Sequence, residues 1–267
     1  MNLLETKNAA LSYLKPVSRE ILKRFRTRLT VEEKPDHSPV TIADKNAEEA
    51  LRKKISKDFP RHGIIGEEFG NESSSAEWVW TIDPIDGTRS FIRGLPFFSI
   101  LLALLHRGRP VMGIISLPAL GETYWAVKGQ GPHCGNRRMV VSPQKKLDQA
   151  VVAVADHYCF KKKKYLRLLG KLHKECALVR TYPDAFGHVM AVRGAVDAMV
   201  DPWAYIWDFA PCKILAEEAG GTFANFTGNR GEIDEGTAIV GPPELVKKIR
   251  RLYRQDKRNE APKRDPQ

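Results

Sequence analysis

Residues 78–94 restrict the possible folds of this chain more than any other stretch. The first five residues, Trp-Val-Trp-Thr-Ile, are typical of a buried strand and run directly into Asp83. Because Pro84 fixes φ and has no backbone donor, we expect the strand to end there. An Asp-Gly pair at positions 86–87 then turns the chain, and residues 88–93 are expected to form a short helix. The stretch therefore predicts a strand–turn–helix unit.

Asp83 and Asp86 are two carboxylates held three residues apart at the carboxyl end of this strand. Carboxylates this close repel each other unless a cation lies between them. Hard oxygen ligands suit Mg²⁺, and the backbone N–H groups of a helix start suit a phosphate. An acidic turn before a helix also occurs without any ligand. The full order of strand, Asp-Pro-Ile-Asp-Gly-Thr and helix favours a metal–phosphate site.

Two further motifs accompany this one. They are Ile-Gly-Glu-Glu at residues 65–68, and Trp207-Asp208 before a helix that ends in Glu-Glu-Ala-Gly-Gly at residues 217–221. Together, in this order and spacing, the three motifs resemble the signature of the inositol monophosphatase superfamily, and the resemblance extends over about residues 11–240. Members of that superfamily are Mg²⁺-dependent, lithium-sensitive phosphomonoesterases. The resemblance implies a layered αβαβα sandwich of the inositol monophosphatase and fructose-1,6-bisphosphatase type, and a homodimer.

Four shorter stretches are similar to the branch that holds the histidinol-phosphate phosphatases. They are residues 33–44, 88–91, 108–111 and 180–184. Two positions depart from the branch: Pro183 stands where it usually has Gly, and Arg89 where it often has Lys. The change at Pro183 bears on the shape of the substrate pocket.

The resemblance also assigns metal ligands. Glu67, Asp83 and the carbonyl of Ile85 are expected to hold one Mg²⁺, and Asp83, Asp86 and Asp208 a second. A third, weaker cation near Glu67 is usual in the superfamily. For Asp208 alone, the ordinary explanation is a helix N-cap, since it precedes a predicted helix.

Catalytic and phosphate-binding roles are assigned in the same way. Thr88 and Glu67 are expected to orient the attacking water, and Asp44 is expected to lie beside the metals, where it steers a water or a third cation. The N–H groups of Gly87 and Thr88 can hold phosphate oxygens, beside Ile85, Asp86 and Asp208. Asp44 also falls in the first turn of a predicted helix, where an acid commonly complements the helix dipole.

Arg180, Asp184 and Asp201 correspond to positions that line the pocket for the alcohol part of the substrate. The two acids would suit a cationic group such as the amine and imidazole of histidinol. Local turn chemistry explains them equally well, because Asp184 follows a proline and Asp201 precedes one.

The composition limits the cell compartment and the fold class. The four cysteines are scattered without a Cys-x-x-Cys pair, so neither a zinc site nor a disulfide framework is indicated, and a reducing cytoplasmic setting is favoured. The N-terminus contains no secretory signal, and the longest apolar run, at residues 95–105, is too short to span a bilayer.

The net charge of +11 raises the question of a polyanionic partner. Residues 247–267 contain nine Lys or Arg and three Asp or Glu, and a second basic cluster lies at residues 161–164. These runs are not interleaved with several aromatic residues, which argues against a base-stacking surface. Solvated surface is their ordinary explanation, so we expect neither a nucleic-acid nor a membrane partner.

The order of elements predicts an α+β or α/β chain in two halves. Residues 1–146 are expected to form an antiparallel half with most of the metal ligands. Residues 147–255 form an α/β half with Asp208 and the substrate pocket, and residues 256–267 a disordered basic tail. Further predictions are a helix broken near Lys15 by Pro16, a strand at residues 139–141, one basic helix at residues 161–174, and a last helix at residues 243–253.

The first functional hypothesis is therefore a cytoplasmic Mg²⁺-dependent histidinol-phosphate phosphatase of histidine biosynthesis. An inositol-1-phosphate or broad sugar-phosphate phosphatase is the main alternative. A 3′-phosphoadenosine-5′-phosphate phosphatase is a third, although no adenine-stacking signature is present. A non-enzymatic alternative is a basic polyanion-binding protein with a decayed metal site.

Overall fold

The computed structural model of the protein describes residues 1–227 and 231–260. The first half contains α1 (Leu3–Arg24), β1 (Val31–Glu33), β2 (Pro39–Thr41), α2 (Ile42–Asp58), β3 (Gly63–Gly66), β4 (Gly70–Glu72), β5 (Trp78–Asp86), α3 (Thr88–Ile92), β6 (Ser99–His106), β7 (Arg109–Leu117), β8 (Glu122–Val127), β9 (Gly131–Cys134) and β10 (Arg137–Arg138). The second half contains β11 (Val151–Val154), α4 (His157–Lys162), α5 (Leu166–Glu175), β12 (Leu178–Thr181), α6 (Asp184–Val192), β13 (Ala198–Asp201), α7 (Ile206–Glu218), β14 (Thr222–Ala224), β15 (Ala238–Gly241) and α8 (Pro243–Glu260).

Two large sheets organise these elements. The first has the strand order β10-β9-β8-β7-β6-β5-β3-β4, and its pairs are antiparallel except for β3 with β5. The second has the order β12-β11-β13-β15-β14, with β11 parallel to both of its neighbours. A separate hairpin is formed by β1 and β2.

The helices cover the sheets in layers. Helices α1 and α2 pack on one face of the first sheet, α6 and α7 contact both sheets, and α5 and α8 pack on the second sheet. The result is the expected layered αβαβα sandwich. Within the described residues, no helix combines the length and the apolar character needed to cross a bilayer.

Strand β6 shows why the first sheet is buried on both faces. Its apolar run alternates between two cores. Leu101, Ala103 and Leu105 belong to the cluster that includes α6 and α7. Ile100, Leu102 and Leu104 belong to the cluster that includes α1 and α2. The first of these clusters also contains residues of the second half, so the two halves share a core.

The predicted helix break near Lys15 is wrong. Helix α1 is continuous from Leu3 to Arg24 with Pro16 inside it. An interior proline removes one hydrogen bond and costs a helix about 3 kcal/mol. Pro16 itself is exposed, whereas Tyr13, Leu14 and Val17 are buried around it. Their packing offsets the missing hydrogen bond.

Other predicted boundaries also differ. Residues 139–141 are not a strand: Met139 donates to the carbonyl of Pro132 and Val141 to that of Ala219, so the backbone is satisfied outside a sheet. The predicted basic helix at 161–174 is two helices, α4 and α5, separated at Lys164 with its φ of 64°. Helix α8 continues to Glu260, and the predicted disorder of residues 261–267 lies outside the described residues.

Candidate metal and phosphate site

The site begins with an irregularity in β5. Asp83 pairs with Leu101 and Asp86 with Ser99, so three residue steps on β5 oppose two on β6. This is a β-bulge, and it occurs where Pro84 cannot donate to the sheet. The predicted end of the strand at Pro84 is therefore wrong, although the hydrogen-bond ladder is interrupted there. The bulge turns both carboxylates toward the same edge of the sheet.

Asp208 reaches this edge from the first turn of α7. Its Oδ2 accepts a hydrogen bond of 2.8 Å from the N–H of Tyr205, the residue before the helix. Asp208 therefore lies inside the helix and caps it from there, and its predicted position just ahead of the helix is wrong. Ligand atoms of Asp83, Asp86 and Asp208 all lie within 4.8 Å of one another. We call these three residues the carboxylate cluster.

The electrostatics of the carboxylate cluster favour a cation. Burial and then the charges of Glu67, Asp208 and Asp86 raise the pKa of Asp83 well above its ordinary value. Burial, followed by the charges of Asp86 and Glu67, does the same to the pKa of Asp208. Burial raises the pKa of Asp86 to about 6, although hydrogen bonds from Ser99 and Ala185 oppose this shift. Buried, mutually repelling carboxylate oxygens fit a hard divalent cation such as Mg²⁺.

Glu67 follows β3 and lines the same cavity as the carboxylate cluster. Its Oε1 accepts a bond of 2.8 Å from Lys34 Nζ, which also lies 2.6 Å from Glu68 Oε1. Although burial opposes the charged ammonium, Glu67 and Glu68 together raise the pKa of Lys34. The structure thus brings Glu67 to the site, with the Lys34 ammonium as a cationic neighbour.

The loop that carries Glu67 is fixed from behind by Glu48, which is buried on α2. Its carboxylate accepts bonds from the N–H groups of Glu68 (2.7 Å) and Phe69 (3.2 Å) and from Arg52 (2.7 Å). Neither Glu48 nor Lys34 was predicted from the sequence. Nothing in the local pattern of α2 distinguishes Glu48 from a surface glutamate.

Thr88 and Asp44 are in contact, as the sequence predicts for neighbours at the site. The Thr88 hydroxyl lies 2.9 Å from the carbonyl oxygen of Ile85 and 3.2 Å from Asp44 Oδ1. Asp44 Oδ2 accepts bonds from both the N–H (2.8 Å) and the hydroxyl (2.6 Å) of Thr41, the N-cap of α2. Asp44 therefore caps a helix and positions Thr88 with the same carboxylate.

Gly87 is required by both conformation and space. Its φ is 80°, which disfavours any side chain. A Cβ would lie 2.7 Å from the carbonyl oxygen of Phe97 and 3.0 Å from Asp184 Oδ2. The N–H groups that open α3 have no intrahelical partners, which leaves them available to an anion.

A cavity of about 200 Å³ opens beside the carboxylate cluster, and a smaller one of about 80 Å³ continues behind it. The basic Arg89 and Lys162 line the larger cavity together with acidic and aromatic residues: Asp156, Asp184, Tyr158, Trp203, Tyr205 and Trp207. Asp156 and Tyr158 follow the parallel strand β11, at its carboxyl end, where α/β proteins commonly bind ligands. That position was the available signal for these two residues, which were not predicted from the sequence.

The predicted pocket residues have different positions. Asp184 lines both cavities, and Asp201 lines the smaller one. Asp201 is buried, 3.2 Å from His188 Nε2 and 3.1 Å from the N–H of Trp203. Arg180, by contrast, is exposed on the edge strand β12 and lines neither cavity. The structure therefore does not bring Arg180 to this site.

Fold and site together define a phosphatase of the layered αβαβα class with an acidic cluster that could hold a metal ion. The chain belongs to the inositol monophosphatase family, whose model matches residues 2–258.

Individual relatives carry different names. The chain is 38% identical over 215 residues to a histidinol-phosphatase of Chlorobaculum parvum, which covers 78% of this chain and 81% of the relative. It is 34% identical over 248 residues to the Nus factor SuhB of Escherichia coli K12, covering 90% and 92%. Its fold is similar to that of an inositol monophosphatase from Zymomonas mobilis, with a TM-score of 0.85, 29% identity, and coverage of 95% and 99%.

Proposed function

We propose that the protein is a Mg²⁺-dependent phosphatase that hydrolyses L-histidinol phosphate to L-histidinol and phosphate. The observation that carries this choice is the lining of the cavity next to the carboxylate cluster. The exposed Asp156 places negative charge there, beside aromatic rings that include Tyr158 and Trp203. Burial and the neighbouring acids raise the pKa of Asp184, which lines the same cavity and would gain its charge next to a cationic ligand. Acids and aromatic faces attract ammonium and imidazolium groups. The polyol of inositol offers neither charge nor an aromatic ring.

The relatives support the same choice. Histidinol-phosphatases from three organisms are 34–38% identical to this chain. The SuhB proteins and a bifunctional plant phosphatase are also similar to this chain, at 34–36% identity. Sequence identity therefore does not distinguish the substrates, and the choice rests on the chemistry of the cavity. As part of the proposal, the enzyme is a cytoplasmic homodimer of histidine biosynthesis that binds two or three Mg²⁺ ions and is inhibited by lithium.

Residues of this chain have separate parts in the reaction. Asp83, Asp86 and Asp208, with Glu67 and the Ile85 carbonyl, would hold the cations. Bound Mg²⁺ supplies charge neutralisation and activates a water molecule for attack on phosphorus.

The phosphate and the attacking water are then positioned by side chains and backbone of α3 and its neighbours. The backbone N–H groups of Gly87 and Thr88, at the start of α3, donate hydrogen bonds to phosphate oxygens. The Thr88 hydroxyl, held by Asp44 and the Ile85 carbonyl, accepts a hydrogen bond from the attacking water. Asp156 and Asp184 orient the alcohol through its cationic group.

A phosphate-release assay with Mg²⁺ tests the proposal. It compares L-histidinol phosphate, inositol 1-phosphate, fructose 1,6-bisphosphate and adenosine 3′,5′-bisphosphate. We expect kcat/KM to be at least about tenfold higher for L-histidinol phosphate, the discrimination that about 1.4 kcal/mol supplies. A preference for inositol 1-phosphate would overturn the substrate and leave the phosphatase class intact.

Asp156→Asn isolates the charge that carries the substrate choice. Asn keeps the N-cap of α4, where the Asp156 side chain accepts from the N–H of Cys159 at 3.0 Å. We expect KM for L-histidinol phosphate to rise about tenfold, with KM for β-glycerophosphate unchanged because its alcohol is neutral. Equal changes in KM for both esters would show that Asp156 does not recognise the cationic group of the substrate.

A further inference from the structure

The outer layer of the second half brings two strongly basic segments together. Residues 161–174 contain seven Lys or Arg and no acid, and residues 247–254 contain five and no acid. More than 70 positions separate them in sequence, yet helices α5 and α8 pack against each other. Lys171 Nζ lies 3.1 Å from the carbonyl oxygen of Leu252, and the rings of Tyr165 and Tyr253 are 5.8 Å apart.

Contacts at the ends of the two helices give their relative direction. Tyr165, which precedes the first residue of α5, lies beside Tyr253. Tyr253 is near the C-terminal end of that part of α8 whose side chains the structure describes. The segment after α5 contacts residues 147–149 through the N–H of Ala177, and Lys248 Nζ donates to the carbonyl of Lys145 at 2.7 Å. The helices therefore run antiparallel, with the Lys145-Lys146 pair at one end and the lysines of α4 at the other.

These side chains form one surface, which we call the basic face. Its members are Lys145, Lys146, the lysines at 161–164, Arg167, Lys171, Lys174, Lys247, Lys248, Arg251 and Arg254. Most of them are exposed, including the four lysines of residues 161–164, Lys174, Lys247 and Arg251.

Most apolar residues of both helices are already used in the core, and Leu166 at the start of α5 is an exposed exception. Leu168 and Leu172 of α5, and Leu245, Ile249 and Leu252 of α8, are buried in the cluster between the sheets and helices. A basic helix that enters a membrane surface needs an apolar face for the acyl region. A protein partner would require an apolar interface core. The basic face presents positive charge in place of both, so its charge fits a polyanion in water.

We propose that the basic face binds the phosphate backbone of nucleic acid, independently of sequence. Lysine and arginine side chains neutralise backbone phosphates, and each contact releases counterions. The tyrosines of the two basic segments, Tyr165 and Tyr253, pack against each other, and Tyr253 is buried. They are therefore not displayed for base stacking, which favours a duplex over single strands. This differs from the expectation from the sequence, which showed two basic runs and not their association.

The test compares two variants with equal loss of charge. The face variant combines Lys161→Gln, Lys174→Gln, Lys247→Gln and Arg251→Gln. The control variant combines Lys15→Gln, Arg19→Gln, Lys53→Gln and Lys57→Gln, which are exposed residues of α1 and α2 in the opposite outer layer. Lys162 and Lys163 stay unchanged, because both lie within 4.2 Å of the Trp203 ring that lines the cavity.

Fluorescence anisotropy with a labelled 20-base-pair RNA duplex at 50 and 150 mM NaCl gives the readout. We expect the face variant to bind at least tenfold more weakly than wild type at 50 mM NaCl, and the control variant to stay within about twofold. The slope of log affinity against log salt should fall by about 0.9 for each phosphate that the variant no longer neutralises. Circular dichroism and turnover with L-histidinol phosphate confirm that both variants are folded.

Several results would overturn the proposal. Equal losses in the two variants would mean general charge attraction without a dedicated surface. Tighter binding to phosphatidylserine vesicles than to the duplex would identify a membrane partner, and tighter binding to poly-glutamate an acidic protein. Undiminished duplex binding by the face variant would exclude the basic face as the nucleic-acid-binding surface.

Discussion

The carboxylate cluster and the basic face both bring charges of one sign together, but they do so in different surroundings. The three carboxylates lie within 4.8 Å in a partly buried site, whereas the basic side chains spread over exposed helices. Two like charges about 5 Å apart repel by about 3 kcal/mol at an effective dielectric constant of about 20, and by less than about 1 kcal/mol in water. The carboxylate cluster therefore needs a bound cation in order to be fully ionised. The basic face stays charged without a bound anion, because water screens its charges.

The largest effect is expected from Asp86→Asn. Removing one carboxylate from the cluster should lower kcat by about 10³-fold, since charge stabilisation at such a site is worth several kcal/mol. The free energy of unfolding of the metal-free protein should stay equal or rise, because a repulsion is removed. Steady-state kinetics and urea titration measure the two quantities. Asp148→Asn, at an exposed and distant position, is the matched control. Near-normal turnover of Asp86→Asn would exclude Asp86 as a ligand.

The next effect concerns Mg²⁺ and pH. Because burial and mutual repulsion raise the carboxylate pKa values, the contribution of these three groups to the stability of the metal-free protein is fully present below the ordinary Asp pKa. This contribution is lost as the pH rises through the folded pKa values, about 6 for Asp86. Mg²⁺ at 100 times its Kd should add about 2.7 kcal/mol at pH 7.5, and clearly less at pH 5.0, where protons compete. Thermal unfolding with Mg²⁺ or EDTA checks this. A shift that grows toward pH 5.0 would contradict the cluster as the binding site.

Gly87→Ala should have a moderate effect on both stability and turnover. A φ of 80° and the contact with the Phe97 carbonyl would cost about 1–3 kcal/mol of unfolding free energy. The start of α3 would shift, which should lower turnover. Gly108→Ala, also at positive φ but with open space around it, is the control for backbone strain alone. Equal destabilisation in both variants would mean that the contact with Phe97 is unimportant.

The smallest effect is expected on the basic face. Lys174→Gln and Arg251→Gln should each change the free energy of unfolding by less than about 0.5 kcal/mol, because exposed charges are screened by water and salt. Urea unfolding at 10 and 200 mM NaCl measures the change. A destabilisation above about 1 kcal/mol at either position would show that the basic face has a structural role. It would contradict the view that its charges contribute little to stability.

The sequence predicted the parts of the site that depend on local order. Asp83, Asp86 and Thr88 lie within one strand–turn–helix unit, and Asp208 opens a helix, so short motifs were sufficient. Lys34 and Glu48 reach the site through packing between elements distant in sequence, which no local pattern records. For Asp156 the only signal is its position after β11, whose value as a ligand-binding edge depends on the sheet topology. For the same reason, the sequence showed two basic runs and not the single surface that they form.

The errors about the fold have physical causes of the same kind. The layered architecture followed from element order and family resemblance. Local rules about proline predicted a break at Pro16 and a strand end at Pro84. In α1 the burial of neighbouring side chains outweighs the missing hydrogen bond, and in β5 a bulge accommodates the missing donor. Tertiary packing decided both cases.

The shared carboxylate of Asp44 has a consequence for how this protein can vary. One oxygen secures the start of α2 through Thr41, and the other contacts Thr88, which lines the cavity beside the carboxylate cluster. Folding and turnover therefore both depend on the Asp44 carboxylate, so selection on either property constrains the other. Improved variants of such an enzyme should arise at positions around Asp44 rather than at Asp44 itself.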